Sequence, residues 1–429
     1  MQRLSGFMRT YWSRGPAGRP TPRSLNVFMQ RMWLLALFFK LLGSSWDVSW
    51  HFKWLRDDLA PPHLINTVGT GIAIGLVLAH SFTGYGVEKR SLRLMQLGTG
   101  IFVIAGPIDI INHRINGLDL TSWSPSHLLL YIGTAIMIAG VIRNWYRTYP
   151  RDGKLGWQWT AGLVALWAFM FEDVFFPQLQ QEYGILEVAS WFSGNPYGEQ
   201  TLLDFAANQI GRPVDDIAIM HFAMPIPTWV YPVFGIAVCV PLLVFARMMT
   251  GFRWTATCAV GGYLAYRLIT WPLLVVGTFP PSSPPLWLLP VAIAVDVLFL
   301  VKINGYLRAV LGAVVVTGVG FGALALHALA LGTPLRLGSM TVEQMRAAYE
   351  AGDNLYTPPI AWWSWWVAGL GLLVTWLAAV ALADRTMGLD TPRPPRISVT
   401  FAPEPPRDAR GILLGTQADE NAEPGVRTA

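Results

Sequence analysis

Residues 27–51 read VFMQRMWLLALFFKLLGSSWDVSWH, an apolar run holding one lysine, Lys40, and ending in Trp46, Asp47, Trp50 and His51. An α-helix needs about 20 such residues to cross a hydrocarbon core about 30 Å thick. Working outward from this first block at 27–49, comparable blocks recur near 64–84, 93–113, 126–146, 157–177, 228–249, 255–277, 285–301, 307–331 and 361–383. They predict an all-α polytopic membrane protein with about ten transmembrane helices arranged as hairpins. Composition agrees, because 13% charged residues is about half the share of a soluble domain and excludes an ordinary soluble enzyme or a disordered scaffold.

Basic residues fall in alternate loops: before the first block, at Lys89, Arg90 and Arg93, at Arg143, Arg147, Arg151 and Lys154, at Arg247 and Arg253, at Lys302 and Arg308, and from Arg385 onward. The positive-inside rule then predicts both termini in the cytoplasm and the other five loops outside, in the cell membrane. Topology accounts for the net charge of +5, so nucleic acid is not an expected partner and the lipid bilayer is. Four segments follow: a basic cytoplasmic stretch, 1–26; a four-helix repeat unit, 27–147; six further helices over 148–384 with a long outer loop at 178–215; and a disordered cytoplasmic tail, 385–429. Trp46, Trp50 and Trp54, and later Trp362, Trp363, Trp365 and Trp366, mark the outer interface.

The first two outer hairpins repeat each other. Asp47-x3-His51 is followed by Pro61 and His63; Asp109-x3-His113 is followed by Pro125 and His127. After each second histidine come Gly, Thr, Ile and Ile at matching offsets: Gly69, Thr70, Ile72 and Ile74 against Gly133, Thr134, Ile136 and Ile138. Residues four apart share a helix face, so each Asp-x3-His pair aims a carboxylate and an imidazole at one point. Proline suits a first helical turn, which places His63 and His127 at the openings of helices two and four. Each hairpin thus predicts an Asp/His/His site that suits copper, zinc or iron and leaves a coordination position open.

This spacing resembles the C-type subunit of the copper membrane monooxygenases, the particulate methane and ammonia monooxygenase family, over roughly residues 27 to 145. The resemblance implies copper at Asp47, His51 and His63 and at Asp109, His113 and His127. It also implies an oxidative role beside other monooxygenase subunits or in a homo-oligomer. Asp109 stands where that family usually has an amide. Without the resemblance, a copper- or zinc-handling protein, an oxidase assembly factor, or a helical protein with no metal remain open readings of the same residues.

Further polar residues lie in or near apolar blocks. Glu172 and Asp173, with Met220, His221 and Met224, form a candidate subsidiary metal site, thioether and imidazole suiting Cu(I). Arg267 and Asp296 sit at similar depth, roughly 15 Å from their helix ends at 1.5 Å per residue, and predict a structural ion pair. Lys40 is expected to meet Asp47, Glu172 or Asp173, while His80 and His327 are expected at the interfaces. Cys239 and Cys258 lie in apolar blocks and support neither a disulfide framework nor a thiolate site. No Walker loop, dinucleotide glycine pattern or haem-attachment motif occurs.

Overall fold

The computed structural model describes residue 6 and residues 10–55, 59–116, 121–333, 341–387 and 401–405. These residues are helical, with a single isolated bridge, Pro22 to Ala402, as their only strand-like pairing. Among the described residues, nine stretches are long and apolar enough to cross a membrane, which fits a multi-pass membrane protein.

The first four are α1 (Arg23–His51), α2 (Pro61–Thr83), α3 (Lys89–Asn116) and α4 (Pro125–Thr148). They pack as two hairpins, α1 on α2 and α3 on α4. Proline occupies the first turn of both α2 and α4, where its missing N–H costs nothing. The repeat extends to the backbone. A Cβ on Gly69 would lie 2.5 Å from Ala36 O and 2.8 Å from Lys40 N; one on Gly133 would lie 2.9 Å from Gly98 O and 2.7 Å from Phe102 N. Ala36 and Lys40 precede Asp47 by the same steps as Gly98 and Phe102 precede Asp109. Both hairpins therefore close through the same glycine-to-backbone approach, and the equivalent residues Lys40 and Phe102 touch, with Nζ 3.8 Å from the ring centroid.

Next come α5 (Leu155–Phe175), a 3-10 turn Phe176–Gln178 and α6 (Leu179–Phe192). Together these 38 residues are well beyond the roughly 20 that one bilayer crossing needs. Their far half builds a second core with α7 (Gln200–Gln209), α8 (Asp216–Ala223) and α13 (Val342–Glu350). The expected long loop at 178–215 is thus corrected to a helical cap. Glu182 and Glu187, which lie in that stretch, are buried within it. Glu187 accepts from Gly198 N–H at 3.2 Å. The cap rests on the end of α1, where Phe52 meets Tyr183 and Phe222 at ring-centroid distances of 6.0 and 5.3 Å.

The remaining helices are α9 (Val230–Thr250), α10 (Thr255–Val276), α11 (Leu288–Leu298), α12 (Gly305–Ala330) and α14 (Trp365–Met387). With α5 and the first four helices they share the main core, to which they contribute Trp287 and Trp376. The block read at 285–301 yields only the 11 residues of α11, too short to cross a bilayer alone. The expected pair Arg267–Asp296 does not form. Arg267 bonds Glu182 at 2.9 Å, and Asp296 lies 3.4 Å from Arg247. Within the expected tail, 401–405 lies beside the start of α1, Glu404 accepting from Ser24 N–H at 2.9 Å.

Candidate metal centre

Asp47 and His51 stand one turn apart near the end of α1, and His63 is the third residue of α2. His63 Nε2 lies 2.9 Å and His51 Nε2 3.3 Å from the same Asp47 Oδ1. The two imidazole nitrogens are 3.4 Å apart. With metal–ligand bonds of about 2.0–2.1 Å, tetrahedral coordination sets neighbouring donors roughly 3.3 Å apart. Two of the three donor separations, 3.3 and 3.4 Å, match that edge, and the third, 2.9 Å, is shorter and of hydrogen-bond length. Two Nε2–H groups sharing one oxygen would instead bring like bond dipoles together, whereas a cation is met by two lone pairs and a carboxylate. Among the described residues this is the one group of three or more His, Cys, Asp or Glu side chains so arranged.

The second set is built alike where it is described. Ser124 caps α4 by accepting from His127 N–H at 3.2 Å, so His127 takes the place that His63 has in α2. Its Nδ1 is 2.7 Å from Thr121 O. A carbonyl can only accept, so Nδ1 carries the proton and Nε2 faces outward from that bond. An imidazole held by a backbone carbonyl in this way is oriented for a metal through its other nitrogen. Nε2 lies 3.5 Å from Asp109 Oδ1, on a buried carboxylate. Pro107 interrupts the α3 backbone just before Asp109. His113 lies on the same helix, but its side chain is outside the described residues.

Asp47, His51 and His63, together with Asp109 and His127, line one cavity of about 550 Å³, a volume typical of ligand pockets. Its walls are largely apolar, including Leu37, Leu41, Phe102, Val103, Ile138 and Phe169. Lys40, Glu172 and Asp173 also line it; Met220, His221 and Met224 do not. The candidate subsidiary site is therefore divided. Its two acids join the main chamber, while Met220 and Met224 pack half-buried in the cap and His221 is exposed. Lys40 donates to two neutral groups, Asn66 Oδ1 at 3.1 Å and Thr70 Oγ1 at 3.3 Å, rather than to the carboxylates expected from sequence. Glu172 accepts from Ser45 Oγ at 3.2 Å.

Of the two remaining histidines, His80 is corrected from an interface residue to a core one. It is fully buried, its Nδ1–H donating to Tyr85 O at 2.8 Å and its Nε2 accepting from Trp33 Nε1–H at 3.1 Å. Both ring nitrogens are thereby committed, which removes His80 as a ligand. His327 is half-buried near the end of α12. Sequence reasoning missed Thr121, whose contribution is a backbone carbonyl and leaves no side-chain signal, and Asn66, one turn before the repeat residue Thr70. No family model matches the chain, and no curated protein or solved structure matches it either.

Proposed function

We propose that this multi-pass membrane protein is a copper protein. Asp47, His51 and His63 hold one ion, and Asp109, His113 and His127 hold a second in the same chamber. The observation that carries this is the donor triangle at Asp47, with edges of 2.9, 3.3 and 3.4 Å, close enough for one ion to bridge all three donors. Two imidazoles and a carboxylate suit copper, zinc and iron alike, and the resemblance to the copper membrane monooxygenases favours copper. By the distribution of Lys and Arg, both termini face the cytoplasm and the Asp/His ends of the hairpins face outward in the cell membrane.

The role proposed is an oxidative one. Bound copper would supply redox chemistry at the coordination position that three protein ligands leave open. The chain's own residues do the rest. Asp47 and Asp109 offset the charge of the ions, and the carbonyl of Thr121 fixes which nitrogen of His127 faces the site. The apolar part of the chamber wall suits small uncharged molecules.

Elemental analysis of the purified protein tests the proposal. Copper is expected in the wild type, with the first set's share lost in His51→Ala/His63→Ala. Equal metal content in the two proteins would remove the assignment.

A further inference from the structure

Beyond the Asp/His sets, the chamber carries a polar cluster that metal binding does not use. Lys40 enters from α1, and Glu172 and Asp173 enter from α5. The lysine is engaged by Asn66, Thr70 and the face of Phe102, and Glu172 by Ser45. Asp173 is different. Its side chain is buried, with 8% of the residue exposed, and Oδ2 has no hydrogen-bond partner. A buried acceptor left unmade costs far more than an exposed one, so such an atom beside a cavity marks where a donor belongs. Apolar residues of the same lining, among them Leu41, Phe102 and Phe169, supply a surface for a hydrocarbon remainder.

We propose that the chamber binds a small aliphatic molecule bearing one N–H or O–H head group, with Asp173 receiving that head and the apolar wall taking the chain. Ligand pockets in general join a few convergent polar groups to apolar walls, and here Glu172 and Asp173 come from α5 and Lys40 from α1, with the apolar lining drawn from α5 and both hairpins. A molecule without a donor head leaves Asp173 unsatisfied and forfeits that discrimination. A cationic head is favoured by the formal charges at this end, one lysine against two carboxylates, and a hydroxyl head answers the same acceptor without charge. The inference does not depend on metal in the Asp/His sets, because none of its contacts uses their ligands.

The test is calorimetric titration of n-butylamine, 1-butanol and n-butane into the full-length protein in lipid nanodiscs, with empty nanodiscs subtracted. Metal-loaded and chelator-treated samples are run side by side. Saturable binding of butylamine or butanol is expected, weakened at least about tenfold in Asp173→Asn, as for loss of a charge-assisted hydrogen bond. Tighter binding of the amine assigns a cationic head, and tighter binding of the alcohol a neutral one. Should Asp173→Asn fail to fold, Val103→Trp is read instead; Val103 lines the chamber and is 47% exposed, and the indole is expected to fill the space and abolish binding. Equal affinity for n-butane, or unchanged affinity in both variants, would overturn the proposal. Retained binding in a protein that takes up no copper would leave it standing and remove only the metal reading.

Discussion

Arg267 on α10 donates to Glu182 at 2.9 Å, Tyr263 at 2.8 Å and Ser282 at 2.6 Å, all in the interior. Removing one partner of a buried pair strands the other, so Arg267→Leu is expected to cost about 3–5 kcal/mol, while Arg267→Leu/Glu182→Leu recovers most of that. Thermal unfolding in detergent checks both; an equal loss in single and double variants would deny the pairing. At His63, truncation would remove one of the proposed ligands itself. His63→Ala is expected to weaken copper by more than the roughly 10–100-fold usual for outer-sphere partners, and a competition titration would show it. These two residues differ in how far the sequence revealed them. His63 was legible because proline at N1 and a four-residue spacing on the facing helix fix both depth and direction. For Arg267, equal depth with Asp296 said nothing about azimuth, and the true partner lay in a stretch read as loop.

Elements fail or hold at their contacts. Gly69 is where α2 meets the α1 backbone, and even a methyl there would stand 2.5 Å from a carbonyl oxygen. Gly69→Ala is therefore expected to destabilise by about 1–3 kcal/mol and to lower copper content, since His63 is carried by the same helix. Gly71, two residues on, faces open space, so Gly71→Ala is expected to be neutral or to stabilise by up to about 1 kcal/mol. In the cap, the Arg346 guanidinium of α13 holds the Asp216 carboxyl of α8 below its ordinary range, with Trp191 donating to the same group at 2.8 Å. A depressed carboxylate stabilises the docked cap above its unfolded pKa and loses that contribution as acid is added. Exchange protection of Val342–Glu350 should then fall below about pH 4, and fall less in Arg346→Met, where little remains to lose. The same loss in both proteins would contradict this. The cap was not legible as helix because hydropathy reads Gln178, Gln180, Gln181, Glu182 and Glu187 as surface, yet all five are buried. Gln181 donates to Ile226 O and Pro227 O, both at 3.1 Å, which is tertiary information that a linear scan lacks.

At the scale of the molecule, two hairpins made by one sequence pattern enclose a chamber that α5 completes. Apolar block length made the membrane class readable, and periodicity made the hairpins readable. The shared chamber was not readable, because it depends on how the second hairpin is placed against the first, with Lys40 over Phe102. The central claim is that Asp47, His51 and His63 surround an ion. Anomalous diffraction at the copper edge from crystals of the copper-loaded protein tests it most directly. The account predicts a peak about 2 Å from Asp47 Oδ1, His51 Nε2 and His63 Nε2, lost in His51→Ala/His63→Ala. Full copper loading with no peak among those three atoms would contradict it.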